Sequence, residues 1–321
     1  MTMSPALAEA RLRSLAKAAG SQGLGWIDPT LGAGIDNGHG YYVADDNPRA
    51  LGGALVWAAK HTLDRVVIFA TSTSGDLARR ASLLRQSAPT IEIWHIDGAT
   101  AAKVDQPSAP NLKPAPVDDR YMAVSALIVE AGARVVRDHG RLVAEVAGLE
   151  VARVVDDDDG PRLEIGVGQA DRELAAIMYK GPPEETLRRV VEVVSNERVA
   201  GSHHPLARLA RPRWLRSVLL DDPSLVGATE LNPVPGMRAN DSVDNSDPAA
   251  AVGCDQNRSP VAVVCGAGVD LDLVPEAADL RSVHCGDGAL VIVVPQRDLA
   301  LNSKLMDRLD NATVVPLPAP W

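Results

Sequence analysis

The spacing of hydrophobic and polar positions changes several times along the chain, and each change marks an element. In residues 4–19, Leu7, Leu12, Leu15 and Ala16 fall near one face and Arg11, Arg13 and Lys17 on others. That spacing predicts an amphipathic helix opened by Ser4 ahead of Pro5. Residues 23–40 are glycine-rich and without a period, so they read as a flexible connection. Asp28, Asp36, Asn37 and His39 make that loop a binding candidate, although it matches neither a P-loop nor the dinucleotide fingerprint. A strand is expected at 41–44 and a helix at 48–60, with Asn47 as its cap and Pro48 at its first position. The run RVVIFA at 65–70 is continuously apolar, as in a strand buried on both faces. A helix at 76–86 and a strand at 91–96 follow. This β-α-β-α-β succession predicts a Rossmann-like parallel sheet with right-handed crossovers.

The C-terminal part repeats that logic. Apolar strands are expected at 261–265, 289–294 and 313–317, with helices at 275–283 and 299–309 between them. Between the two ends lies a different pattern. A helix at 119–133 precedes two β-rich runs, 142–155 and 163–167, joined by an acidic turn. Asp159-Gly160 at its tip is a hairpin signal, and Gly148 marks a bulge or bend. Simple alternation puts Glu150, Ala152 and Val154 on one face and Leu149, Val151, Arg153 and Val155 on the other. Glu150 and Glu164 are then expected on one face of neighbouring strands. Helices at 171–178 and 184–196 follow.

Residues 98–118 and 232–259 lack a period and read as a linker and as a second linker or disordered loop. The expected organisation is an N-terminal α/β lobe (1–97), a central α+β unit with an antiparallel hairpin (119–231) and a C-terminal α/β lobe (260–321). The end lobes form either one continuous sheet or two. The fold class is α/β.

Ligands of parallel sheets lie beyond the carboxyl ends of the strands. Here those ends carry Asp45, Asp46, Thr71, Ser72, Thr73, Ser74 and Asp97. Thr71, Ser72 and Ser74, before a helix, suit a phosphate. In the stretch 266–272, Asp270 and Asp272 suit a cation or a ribose hydroxyl. Cys265 is either an inert core thiol or a nucleophile with His284 or His39 as base. Positive charge concentrates in 198–216. Arg208, Arg211, Arg213 and Arg216 beside Trp214 suit phosphate contact with base stacking, or else form the solvated side of a packed helix pair. His203 and His204 are adjacent and point apart, which disfavours a shared metal.

The helix–hairpin–helix pattern, with Glu145 or Glu150 on one strand and Glu164 on the next, resembles the restriction-endonuclease-like PD-(D/E)XK core over about 60 residues. The resemblance implies a Mg²⁺ site of Glu145, Glu150 and Glu164 and a nucleic-acid partner. Gly166 stands where that motif has its lysine, so it implies an impaired or absent nuclease activity.

Net charge is −10, which disfavours non-specific coating of nucleic acid. Arginine outnumbers lysine 26 to 6, and with the Ala and Asp richness the sequence resembles an actinobacterial family that carries no activity with it. Cys254, Cys265 and Cys285, an odd number without metal-type spacing, suggest thiols in a reducing cytoplasm. No apolar signal segment and no membrane span are expected. Three functions remain: a nuclease-like protein of impaired or absent activity on nucleic acid, a non-enzymatic regulator or scaffold binding a nucleotide or another phosphorylated or acidic metabolite, or an oligomeric interaction protein with no small-molecule site. Homo-oligomerisation is compatible with the first two as well.

Overall fold

The structure is a computed structural model that describes residues 4–110, 118–158, 160–178, 181–244, 246–299 and 303–321. It is an α/β fold divided into two compact units, and the division is not sequential. Unit 1 comprises residues up to Pro110 with Val269–Ser282 and Ala300–Asn311, and unit 2 comprises Asn111–Gly268, Val283–Leu299 and Ala312–Trp321. This differs from the expected succession of lobes, because the C-terminal segment contributes to both units.

In unit 1, α1 (Pro5–Ala18) starts as expected, with the Ser4 hydroxyl accepting from Leu7 N–H. Next come β1 (Trp26–Asp28), β2 (Ala33–Asp36), β3 (His39–Asp45), α2 (Ala50–Lys60), β4 (Arg65–Ala70), α3 (Ser74–Ser82), β5 (Thr90–Asp97) and β6 (Thr100–Lys103). The strands form one sheet in sequence order, with β3, β4 and β5 parallel and the other pairings antiparallel. Leu12, Leu15, Tyr41, Val67 and Phe69 lie in the core beneath it. The glycine-rich stretch is no free connection, since it holds the β1–β2 hairpin. Its inward positions are small: a Cβ on Gly34 would meet Leu24 Cδ1 at 2.8 Å. Burial there leaves no hydrophobic alternation to read. Likewise β6 lies within the expected linker 98–118, of which 111–117 fall outside the described residues.

Unit 2 holds two sheets. α4 (Met122–Glu130), β7 (Arg134–Asp138), β8 (Arg141–Val146), β9 (Leu149–Asp157), β10 (Gly160–Ile165), α5 (Gln169–Met178) and α6 (Pro183–Glu197) build the first. Its antiparallel order is β10-β9-β8-β7. The expected hairpin is thus part of a four-stranded meander, and the run 142–155 is two strands. Ala147 and Gly148 both have positive φ, which is the two-residue turn that matches strand twist. Asp159 lies outside the described residues. Ile128, Leu142, Ala152, Val154, Leu187 and Val191 pack one face of this sheet against α4 and α6.

α7 (Arg211–Asp221) leads into the second sheet of unit 2, made of β11 (Ala228–Val234), β12 (Ala249–Asp255), β13 (Pro260–Cys265), β14 (Ala289–Pro295) and β15 (Ala312–Leu317). Strands β13, β14 and β15 are parallel, and β11–β12 and β12–β13 are antiparallel. The same succession of directions runs from β1 to β5. The expected loop 232–259 therefore contains a whole strand, β12. Ala249, Ala250 and Ala251 bury its inner end without a strong apolar signal. Leu215 and Leu219 of α7 pack on this sheet. α8 (Leu273–His284) joins β13 to β14 in the chain, yet its residues through Ser282 belong to unit 1. Of the helix expected at 299–309, Ser303–Arg308 is a 3₁₀ helix and 300–302 lie outside the described residues.

Candidate functional site

Simple alternation fails in β9, and the failure decides what the central sheet displays. Ala144 pairs with Ala152 but Glu145 pairs with Glu150, so Val151 is an extra residue in β9. A bulge of this kind reverses which face later residues occupy. Directly opposed residues share a face. Through Val143↔Arg153 and Arg153↔Glu164, the residues Val143, Glu145, Glu150, Arg153 and Glu164 all lie on the face away from α4 and α6. Glu150 and Glu164 do share a face, although Ala152 and Val154 are on the other.

These carboxylates are held by arginines. Both oxygens of buried Glu145 accept from Arg216 Nη2, at 2.9 and 2.8 Å, with Arg213 Nη1 at 3.6 Å. Glu150 Oε1 accepts from Arg153 at 2.7 Å and Arg172 at 3.2 Å. Glu164 accepts from Arg162 at 3.2 Å. A Mg²⁺ ion needs carboxylate oxygens turned to a common point, and guanidinium groups occupy these instead. The residues present do not fit the ion. Among the described residues, no group of three His, Cys, Asp or Glu is placed to hold a metal.

The basic segment divides in two. Arg213 and Arg216 point back to the central sheet, where Arg213 also bonds Asp138 at 3.1 Å. Trp214 is 4% exposed, with the Arg198 guanidinium 4.2 Å above its ring, so it offers no face to a base. Arg198 itself donates to the carbonyls of Ala147, Leu206 and Leu209, and burial brings its pKa down to about 10. Arg208 and Arg211, in contrast, face a cavity of about 240 Å³ bounded by Gly268, Arg297, Asp298 and Trp321.

This cavity lies at the carboxyl ends of β13 and β14. The α7 N-terminus, whose first residue is Arg211, supplies one wall and has no side-chain cap. Arg211 and Arg297 sit over the Trp321 ring at 5.1 and 5.8 Å. Burial, then repulsion from Arg297 and Arg208, lowers the Arg211 pKa. Asp298 accepts from Gly268 N–H at 2.7 Å, which fixes the turn after β13. Among the described residues, Arg208 and Arg211 have no ion-pair partner, and Arg211 Nε and Trp321 Nε1 are buried without an acceptor. Arg297 and Trp321 were missed by sequence reasoning. Arg297 had a readable signal, since it lies two residues past the end of the β14 run at Pro295.

The other candidates are engaged internally. Asp46 accepts from the Thr71 hydroxyl and from Ser72 N–H and Oγ, so a carboxylate holds the place of an anion. Ser74 Oγ lies 3.0 Å from His95 Nδ1, which also lies 3.1 Å from the Thr71 carbonyl. Asp270 pairs with Arg49 at 2.5 Å, and Asp272 accepts from Gly52 N–H and Arg80. Those contacts place Asp270 and Asp272 in unit 1, whereas the β13 strand that precedes them in sequence belongs to unit 2. Cys265 is fully buried and its thiol pKa is pushed up to about 12, so it is a core residue. No helix among the described residues is long and apolar enough to cross a membrane. Comparison with protein-family models, curated proteins and solved structures gave no match.

Proposed function

We propose that the protein binds a small phosphorylated metabolite at the carboxyl end of the C-terminal sheet. The observation that carries this reading is the convergence of Arg208, Arg211 and Arg297 on one cavity, with a buried Arg211 Nε that lacks an acceptor. Asp298, 3.8 Å from Arg297, and Asp244 offset part of these three charges, and an anion seated among the guanidinium groups relieves the repulsion that remains. Guanidinium groups bond phosphate oxygens in pairs, and the uncapped α7 N-terminus favours the same charge. The Trp321 ring gives an apolar floor for the organic part. A nucleic-acid partner has less support, because Arg213 and Arg216 are bound to acids and the net charge is −10.

Titration calorimetry in phosphate-free buffer tests this with inorganic phosphate, a hexose 6-phosphate, AMP and the unphosphorylated hexose. At least one phosphorylated compound should bind and the hexose should not. Arg211→Gln should weaken binding by roughly tenfold or more, since a charged hydrogen bond contributes about 1.5–3 kcal/mol. Absence of binding by all three phosphates, or undiminished binding in the Arg211→Gln/Arg297→Gln double variant, overturns the proposal.

A further inference from the structure

The central sheet of unit 2 carries a second cavity, of about 730 Å³, along β10. β10 is an edge of its sheet among the described residues. Gly166 N–H donates inward to the Val151 carbonyl at 2.8 Å. With Arg153 opposite Glu164, the alternation of an antiparallel ladder turns the polar backbone groups of Glu164 inward as well. The N–H and C=O groups of Leu163 and Ile165 therefore point out along the edge, and both residues line the cavity. Pro161 to Ile165 border it consecutively, a run of roughly 16 Å at ~3.3 Å per residue. That is room for four or five residues of extended chain.

The walls divide chemically. Val124 and Leu127 of α4 continue the apolar side of Leu163 and Ile165. The far side holds Arg172, on the second turn of α5, with its side chain 7% exposed. Two guanidinium groups, those of Arg172 and Arg153, share one oxygen of Glu150. Of the remaining acids of the cavity, Glu164 accepts from Arg162 and Glu173 from Gln169, whereas Asp241 accepts from Arg141 and also lies 3.5 Å from Arg153. Arg172 thus shares its ion-pair partner, Glu150, with Arg153, and burial together with the Arg153 charge depresses its pKa.

We propose that this groove binds the C-terminal residues of an extended apolar peptide, lying parallel to β10 with its carboxylate at Arg172. Strand addition to a free edge supplies the main-chain bonds, and alternate side chains meet the apolar wall. A fatty acid satisfies Arg172 but leaves the outward N–H and C=O groups of Leu163 and Ile165 without partners beneath an alkyl chain, which is costly. An extended peptide satisfies both. The parallel direction follows from the position of Arg172, which lies just past the carboxyl end of β10.

The test passes a pool of random N-acetyl pentapeptides with free carboxylates over the immobilised full chain, beside the same pool amidated. The expected result is enrichment of apolar last residues from the free-acid pool, at least tenfold over the amidated one. Arg172→Gln should abolish that preference for the carboxylate. Leu163→Pro removes an outward N–H without touching the inward ladder, and should reduce retention at least fivefold. Melting curves of both variants verify the fold. The proposal is overturned if the wild type enriches nothing, if amidated peptides are retained equally, or if enrichment survives both substitutions. Octanoate binding tightly while no peptide is enriched overturns it too, in favour of an apolar acid.

Discussion

Asp272 is the side chain with the clearest pH signature. It is 2% exposed, and its neighbours Glu276 and Asp279 are as deeply buried. Arg80 bonds both Asp272 (2.7 Å) and Asp279 (3.1 Å), and Arg79 grips Asp279 from the other side. Burial, helped by the Glu276 charge and opposed by Arg80, pushes the Asp272 carboxyl up to about 6 from its ordinary 3.8. Between those two pH values the folded chain holds a proton that the unfolded chain has released. The contribution is therefore full below about pH 4 and is lost as pH rises through 6, with a span of roughly 3 kcal/mol. His284 works in the opposite sense: burial lowers its pKa from 6.5, so its neutral form adds stability as pH rises. Comparison with Asp272→Asn cancels that contribution. Denaturant melts should show the wild type gaining on Asp272→Asn as pH drops from 6.5 to 4.5, and a constant gap would refute the assignment. Sequence placed Asp272 six residues beyond a glycine at a strand end, where it suggested a ligand. That the chain passes from unit 2 to unit 1 between Gly268 and Val269 is a tertiary fact with no local mark. Of the four arginines read as phosphate contacts, Arg208 and Arg211 line the cavity of the proposed site, whereas Arg213 and Arg216 turn to the acids of the central sheet.

At the scale of elements, continuous apolar runs were the legible part. β4 lies where RVVIFA predicted it, and β13, β14 and β15 begin within one residue of expectation. What escaped was built from small residues or from irregular backbone. β2 and β12 bury Ala and Gly, and the Val151 bulge moves Glu150 across the sheet from where alternation puts it. Gly148 shows why one such position is fixed. It has φ +77°, and a Cβ there would stand 2.2 Å from the Arg213 carbonyl carbon and oxygen and 2.5 Å from Trp214 N. The β8–β9 turn thus abuts the first turn of α7 backbone to backbone. Gly148→Ala should cost ~1–2 kcal/mol for the left-handed conformation and ~1–3 kcal/mol more for the displaced helix. Urea melting should show a lower midpoint with an unchanged slope. Gly160, also at positive φ but with nothing within 4 Å of its Cβ position, should show only the smaller, conformational part.

For the whole molecule, the two units are interleaved in the chain, and this bears on how it can fold. Unit 1 takes Val269–Ser282 and Ala300–Asn311 from beyond unit 2. Those segments are part of its core: Leu273, Val274, Ala277, Ala278 and Leu280 of α8 are buried. The Leu271 carbonyl stands where a Cβ on Gly52 would be, at 1.8 Å, so α2 has no room for a larger residue there. Arg308 donates to the carbonyls of Ala88 and Pro89, and closes the turn before β5. A fragment of residues 1–110 retains every strand of its sheet, yet leaves Arg80 without Asp272 or Asp279. A buried charge stripped of its partners costs about 3–5 kcal/mol, and loss of the α8 side chains adds to it. Against a typical total stability of ~5–15 kcal/mol, those losses should leave the fragment without a cooperative melt. Circular dichroism and proton NMR of residues 1–110 should show a collapsed chain with poor dispersion, and addition of a peptide spanning 269–311 should restore part of the folded signal. A fragment that melts cooperatively alone would show that the α1–β6 sheet carries its own stability and that the C-terminal segments are only accessory to it.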